Sequence, residues 1–327
     1  MRAVKRRDAW VGVDLGGTKI LAGVFSASGE WRGREKRATP FAGTGRDLIG
    51  AIVGAIDGAL ASAGLSRTRV AAIGVGSPGP LDPQRGLILR TPHIAARRVF
   101  LGPRLVQEFS RPVVLDNDVN MAVRGEWRAG AGRGRRDLVG LWIGTGIGGC
   151  VIVDGRVVAG INRNAGELGH MIVEARRAKP GTDRGSLEWE ASKTGMARWL
   201  RKEIRRGRKS SLRKRVLARA RLHSRDLGDA YREGDALAIE ALERSARLVG
   251  IAIANLFDAL APEIFILGGG VVEDVGAPYV RLARKAALGH AFSVELARPR
   301  VVASELGDGA GSIGAALSAR DAVPAES

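Results

Sequence analysis

Trp10-Val-Gly-Val-Asp-Leu-Gly-Gly-Thr-Lys-Ile-Leu-Ala-Gly-Val-Phe25 runs from an apolar stretch through a polar, Gly-rich turn into a second apolar stretch. Short apolar runs bounded by glycine read as buried strands, so the segment predicts two strands joined by a turn. Residues 137 to 153, Asp137-Leu-Val-Gly-Leu-Trp-Ile-Gly-Thr-Gly-Ile-Gly-Gly-Cys-Val-Ile-Val153, repeat the plan. Asp154-Gly155 then supplies a tight hairpin turn into Arg156-Val157-Val158. Ser28-Gly29 holds the corresponding place in the first copy, ahead of a third strand between Glu30 and Thr39. The same device twice predicts two α/β halves, a duplicated domain with a ligand cleft between the copies, where ligands preferentially bind.

Each copy is followed by helix and strand. Leu48, Ile52, Ile56 and Leu60 recur at helical spacing over 46–63, and Val70 to Val75 is a buried-strand run closed by Ser77-Pro78-Gly79-Pro80. Val113-Val114-Leu115 is a short strand ending at Asp116-Asn117-Asp118. In the second half, 186–206 and 235–260 are predicted helices, the latter stopped by Pro262. Ile264 to Leu267 is a strand entering Gly268-Gly269-Gly270, with a helix expected around 279–287 and a last one over 311–320. A length of 327 residues fits two domains. The expected division is 1–121 as the smaller N-terminal domain, with 309–327 packing back on it, and 122–308 as the larger one.

Composition narrows the class. Apolar residues make up 45%, as in ordinary globular proteins, and no apolar run approaches the roughly 20 residues that span a bilayer. A single cysteine, Cys150, excludes an intramolecular disulfide, and a cytoplasmic protein without membrane partners is expected. Net charge is +18, but residues 198 to 225 hold 13 Lys or Arg against one acid, Glu203. The excess is thus one local segment and not the electrostatic footprint of a nucleic-acid-binding surface, so a nucleic-acid partner is not expected. A solvated helical face with a loop accounts for the segment; a polyanion contact is the competing explanation.

Several residue groups can carry chemistry. Gly16 and Gly17 lack Cβ, so backbone N–H groups of that turn can approach a phosphate; Thr18 adds a hydroxyl and Lys19 a positive charge. Asp14 can hold Mg²⁺ through water, the ligation Mg²⁺ prefers. Gly144-Thr145-Gly146-Ile147-Gly148-Gly149 offers a second turn of the same kind, and the two can clamp a triphosphate. Either alone is equally a plain Gly-rich hairpin. Asp118, at a strand's C-terminal end, can accept the proton of an attacking hydroxyl, and Asn117 can pair with a diol; an Asx turn or helix cap is the competing reading. Glu167, His170 and Glu188 suit adjacent ring hydroxyls, each of which donates and accepts; taken alone, a surface turn at Glu167 and a helix N-terminal Glu188 favoured by the macrodipole explain them better. Gly268, Gly269 and Gly270 offer flat backbone for an adenine ring or a simple flexible turn.

In this order, Asp14-Leu-Gly-Gly-Thr-Lys19, Asp116-Asn-Asp-Val-Asn120, Gly144-Thr-Gly-Ile-Gly-Gly149, Ala165-Gly-Glu-Leu-Gly-His170, Leu187-Glu188 and Leu267-Gly-Gly-Gly-Val271 resemble the ROK family of sugar kinases, from about Trp10 to Ala316. The resemblance implies a two-domain actin-like ATPase (ribonuclease H-like) fold and ATP-dependent phosphorylation of a hexose, glucose first, with Asp118 as general base. It implies that Gly79, Asn117, Glu167, His170 and Glu188 bind the sugar, and that the two turns and Gly268–Gly270 hold ATP with Mg²⁺. A homodimer is expected. The family's Cys-x-Cys-x4-Cys cluster, which with the His makes a structural zinc site, is replaced by Lys179, Gly181 and Ser186, so no structural zinc is expected. Thr91-Pro92-His93-Ile94 stands where family glucokinases often show Pro-Asn-Leu, which leaves N-acetylmannosamine and fructose open as substrates. The same residues also fit a non-catalytic sugar-binding regulator or a kinase using polyphosphate as donor. A repressor of the family needs an N-terminal winged helix, for which there is no room before Asp14, so a repressor is not expected.

Overall fold

The computed structural model describes residues 7–91, 94–161, 163, 165–292 and 294–323. Strands β1 (Ala9–Leu15), β2 (Lys19–Phe25) and β3 (Trp31–Ala38) are followed by helix α1 (Gly45–Ser62) and β4 (Val70–Ser77). Next come β5 (Leu81–Asp82), β6 (Leu87–Thr91), β7 (Ile94–Phe100), α2 (Leu101–Phe109), β8 (Val113–Asn117) and α3 (Asp118–Ala129). The later part comprises β9 (Leu138–Ile143), β10 (Ile147–Val153), β11 (Arg156–Val157), α4 (Leu187–Ala191), α5 (Lys193–Arg205), α6 (Arg213–Leu217) and α7 (Ser224–Arg232). It ends with α8 (Ala236–Leu260), β12 (Ile264–Gly268), α9 (Gly270–Val275), α10 (Ala277–His290), β13 (Val301–Ala303) and α11 (Ala310–Ala322).

The chain divides into two compact units, one running to Gly134 and resuming at Asp308, the other covering most of the residues between. A boundary at 121 would cut α3 in its first turn, because α3 continues to Ala129 and packs its length on α11 within the first unit. In the first unit a five-stranded sheet has the order β3-β2-β1-β4-β8. β1, β2 and β3 are antiparallel neighbours, whereas β4 and β8 join in parallel. The second unit repeats the arrangement as β11-β10-β9-β12-β13, with the same switch from antiparallel to parallel. The repeated sequence device is therefore a repeated sheet topology. Asp154 and Gly155 both adopt positive φ in the turn between β10 and β11, the conformation a two-residue hairpin requires.

Cores form where the periodicity places them. Leu48, Ile52, Ile56 and Leu60 of α1 are buried in the core that α1 shares with the sheet, and a Thr44–Asp47 capping box fixes where α1 starts. In the second unit the long α8 lies against α10 and the α4–α5 pair. The predicted helix over 186–206 is two helices. Ser192, in extended backbone, ends α4 and caps α5 through its side chain on the Gly195 N–H. The helix expected around 279–287 is the longer α10, preceded by α9, which starts directly at Gly270. Strands β5, β6 and β7 form a separate sheet that the sequence does not announce. Pro92 and His93 lie outside the described residues.

Helix α11 sits with its backbone against β1, β4 and α3. A Cβ on Gly12 would lie 1.8 Å from the Ser312 carbonyl oxygen, one on Gly74 1.9 Å from that of Ala315, and one on Gly314 1.8 Å from that of Met121. Only hydrogen fits at such positions. Gly314→Ala is expected to cost at least about 3 kcal/mol, as forced core overpacking against rigid backbone does. Gly50→Ala, in α1 with open space around its Cβ, is expected to raise stability by roughly 0.5–1 kcal/mol. Urea unfolding of the two variants checks both, and equal effects would contradict the packing.

Candidate active site

The turn between β1 and β2 has its acceptors tied back. The Gly16 N–H donates to the Lys19 carbonyl at 2.9 Å, and Thr39 donates from its N–H to the Thr18 carbonyl and from its hydroxyl to the Gly16 carbonyl. The N–H groups of Gly17 and Thr18 have no partner among the described residues, and Thr18 is exposed at the tip. The turn between β9 and β10 does the same with other residues. Gly144 N–H donates to the Gly146 carbonyl at 2.9 Å. The Gly144 carbonyl accepts from the Lys193 N–H, and the Thr145 carbonyl accepts from the Thr194 hydroxyl at 2.7 Å. Thr145 is the exposed tip, and the N–H groups of Thr145 and Gly146 remain. Successive unpartnered N–H groups form a concavity suited to an anion.

Asp14 ends β1 beside the first turn. Its carboxyl group is pushed up to about 7, first by burial and then by the charge of Asp118, with Lys19 opposing and Asp308 adding to the rise. Gly311, in the first turn of α11, makes room for it; a Cβ there would lie 2.9 Å from Asp14 Cγ. Lys19 forms an ion pair with Asp308, which also lies 3.4 Å from Lys36. Burial alone would raise the Asp308 carboxyl, but Lys19 and then Lys36 hold it below the usual carboxylate range. The Lys19 charge is thus shared with a residue that sequence reading did not flag. Two carboxylates within electrostatic reach, one of them reluctant to ionise alone, are a donor set that fits a hydrated divalent cation.

Asp118 is half-buried at the first position of α3, its Oδ1 accepting from the Val119 N–H at 2.9 Å. Asn117 caps α3, its Oδ1 taking the Val119 and Asn120 N–H groups, so the capping reading holds and leaves the amide NH₂ to donate. Asp116 is committed to the Asn117 N–H, the Asn120 amide and Arg124. Gly79 has φ +91°, and a Cβ on it would lie 2.2 Å from the Arg90 carbonyl, so glycine is required there.

In the second unit, Glu188 reaches the second turn. Its Oε2 accepts from the Ile147 N–H at 2.8 Å, in space that a Cβ on Gly146 would fill. Glu167 and His170 are exposed at either end of a short 3₁₀ turn whose Leu168 packs on β10 at Gly149, while Gly148 is paired with Trp142 on β9. Gly268 is buried, with the Trp142 indole where its Cβ would be, whereas Gly269 and Gly270 are half-exposed at the start of α9. The first unit thus gathers Asp14, Gly16, Gly17, Thr18, Lys19, Gly79, Asn117 and Asp118; the second gathers Gly144–Gly148, Glu167, His170, Glu188 and Gly268–Gly270.

The ROK family profile matches residues 10–322. The chain belongs to the ROK family. A glucokinase of Halalkalibacterium halodurans is 34% identical over 267 residues, 81% of each chain. An N-acetyl-D-glucosamine kinase of Photobacterium profundum is 30% identical, over 94% of this chain and 98% of that one. The crystal structure of a ROK glucokinase of Streptomyces griseus with glucose and AMPPNP superposes with a TM-score of 0.79 at 31% identity, covering 96% and 99%. The two-unit α/β architecture is therefore the actin-like ATPase fold of ROK glucokinases.

Where the family carries its cysteine cluster, this ROK chain orders the loop by backbone pairing. The Val173 and Glu174 N–H groups both donate to the Gly185 carbonyl, Leu187 N–H donates to Met171, and Ile172 bridges Ser186. Gly185 has φ +83° and lies against Glu174 and Ala178. His170 faces Asp183, its Nδ1 at 3.9 Å from the carboxylate. Lys193 is a further residue at the second turn that sequence reading missed. Burial, and then Arg221, hold its ammonium below the usual lysine range, with Asp274 and Asp226 opposing. Its sequence signal is Ser192, a helix cap soon after Leu187-Glu188.

The raised Asp14 pKa has a stability consequence. Between pH 3.8 and about 7 the folded chain keeps a proton that the unfolded chain has released, so raising pH through that window costs stability. Asp14→Asn removes this cost. The variant is expected to be more stable than wild type by roughly 2–4 kcal/mol at pH 8, with the gap closing towards pH 4. Denaturant unfolding at the two pH values measures it, and a pH-independent difference would contradict the assignment.

Proposed function

We propose that this ROK protein transfers the γ-phosphoryl group of ATP to the 6-hydroxyl of a hexose, glucose first, with Asp118 accepting the hydroxyl proton. The observation that carries the reading is the pair of turns whose carbonyls are tied back and whose successive N–H groups have no partner among the described residues. Such cradles suit phosphate oxygens without specifying a base or sugar. The family and its glucokinase relatives supply the sugar class.

In this reading the sugar oxygen attacks the γ-phosphorus, its proton passes to the Asp118 carboxylate, and ADP leaves with the bridging oxygen. In the first unit Asn117 and Gly79, and in the second unit Glu167, His170 and Glu188, are the residues the family resemblance offers for sugar hydroxyls. Within the first unit Thr18 and the Gly17 N–H, and within the second the Thr145 and Gly146 N–H groups, are suited to phosphate oxygens, and Gly269 and Gly270 to the nucleoside. Mg²⁺ carried with ATP would neutralise the triphosphate, and Asp14 is the residue to hold it through water. A desolvated Asp14 beside Asp118 favours such a cation, because a nearby positive charge brings its carboxyl back to the ionised form. The Photobacterium profundum relative favours an N-acetylhexosamine as the second reading.

Asp118→Asn keeps the shape of the strand end but removes the proton acceptor. The expected result is a fall of at least about 100-fold in kcat, the low end for general-base catalysis, with sugar affinity changed much less. Steady-state kinetics together with calorimetric sugar binding check this, and near-wild-type kcat at saturating ATP would overturn the role.

A further inference from the structure

The second turn is anchored from the start of α5. The Lys193 N–H donates to the Gly144 carbonyl at 3.0 Å, and the Thr194 hydroxyl donates to the Thr145 carbonyl at 2.7 Å. Lys193 is the first helical residue after the Ser192 cap. Its backbone is therefore tied to the turn whose Thr145 and Gly146 N–H groups have no partner among the described residues.

This is an unfavourable place for a cation. The first turn of a helix carries the positive end of its dipole, which repels an ammonium. The residue is half-buried, and burial together with Arg221 disfavours the charged form. The ammonium has no ion pair or hydrogen bond to a described residue. Asp274 and Asp226 attract it without pairing with it. Asp226 is in any case engaged, by Arg215 at 3.4 Å and by the His223 N–H at 2.7 Å. A desolvated cation that lacks a counter-charge is stabilised when an anion arrives from outside the chain.

The same neighbours say which part of a nucleotide that anion is. Asp226 is in the first turn of α7, and Asp274 is on α9. The two helices are packed together: a Cβ on Gly270 would lie 2.9 Å from the Ser224 Oγ, and one on Gly228 2.7 Å from the Asp274 carbonyl oxygen. Lys193 thus stands with its backbone on the second turn and its charge within electrostatic reach of the α7–α9 pair, which opens at Gly270. A nucleotide with its nucleoside at Gly269 and Gly270 and its terminal phosphate at the turn passes its remaining phosphates between those two places.

We propose that Lys193 holds a phosphate of the donor that stays with ADP. The assignment rests on the reading of this chain as an ATP-dependent kinase, and it supplies the cation that the second unit brings to the phosphate chain. The backbone N–H groups of the turn give direction to phosphate oxygens, and the ammonium gives them a full counter-charge.

The probes are ADP and the non-hydrolysable analogue AMPPNP, each with Mg²⁺, titrated by calorimetry into the full chain without sugar. Lys193→Met keeps the apolar stem and removes the charge. Both probes are expected to bind this variant at least about 10-fold more weakly than wild type, the effect of losing one hydrogen bond to a charged group. Lys193→Arg keeps a cation that pairs with phosphate and is expected to bind ADP within about threefold of wild type. Without nucleotide, the denaturant midpoint of Lys193→Met is expected to be no lower than that of wild type, because a desolvated charge has been removed. Unchanged affinity of Lys193→Met for ADP would overturn the assignment, and so would a loss confined to AMPPNP, which would put the contact on the transferred phosphate. Equal losses in the Met and Arg variants with a lowered midpoint would reduce Lys193 to a support of the turn and overturn it as well. A wild type that binds neither probe would overturn the ATP-dependent reading itself, a failure distinct from the others because it appears before any substitution is made.

Discussion

The close approach of α11 to β1, β4 and α3 is the constraint on which the first unit depends. Gly12, Gly74 and Gly314 let backbone meet backbone where any side chain would collide. That contact brings the end of the chain to its beginning. Asp308, just before α11, reaches Lys19, and Gly311, in its first turn, leaves the space that the Asp14 carboxylate fills. Burial of Asp14 so close to Asp118 raises its pKa, and the same packing sets the height of α3, at whose first position Asp118 stands. Fold and electrostatics are here one arrangement: a methyl group on Gly314 would disturb the carboxylates without touching either.

The two turns show how one topology leaves the same outward N–H groups using different residues. In the first, Thr39 at the end of β3 collects the turn carbonyls; in the second, the start of α5 does. What the two share is the outcome: acceptors tied back, donors left outward and a threonine at the tip. That outcome needs a short strand–turn–strand with small residues, which a helix-opening phosphate loop does not. The second turn adds Glu188, whose carboxylate takes the next N–H and so ties a carboxylate to the edge of the cradle.

Local patterns carried much of this into the sequence. The two Gly-rich hairpins, the strand ending at Asn117 and the cap that Asn117 places ahead of Asp118 are short-range features, set by alternation and by turn chemistry within a few residues. Contacts between distant residues leave no such trace. The Lys19–Asp308 pair spans 289 positions, and nothing near either residue announces it. The break at Ser192 hides because both flanking segments have helical composition, and the cap appears only once α5 turns onto α8. The loop over 174–186 looks unanchored without cysteines, yet paired N–H groups and the positive φ of Gly185 order it. The basic segment reads as a uniform charge run, although the fold sends Arg206, Arg208 and Arg215 to carboxylates and Arg198 and Lys202 to a cavity.

The account stands on ATP-dependent phosphorylation of a hexose. The most direct measurement incubates the purified chain with Mg²⁺-ATP and, separately, glucose, N-acetylglucosamine, N-acetylmannosamine and fructose, and follows the products by ³¹P NMR. The account predicts a sugar 6-phosphate appearing with equimolar ADP, fastest with glucose. ATP left intact with every sugar, or sugar phosphate formed from polyphosphate and not from ATP, would contradict it.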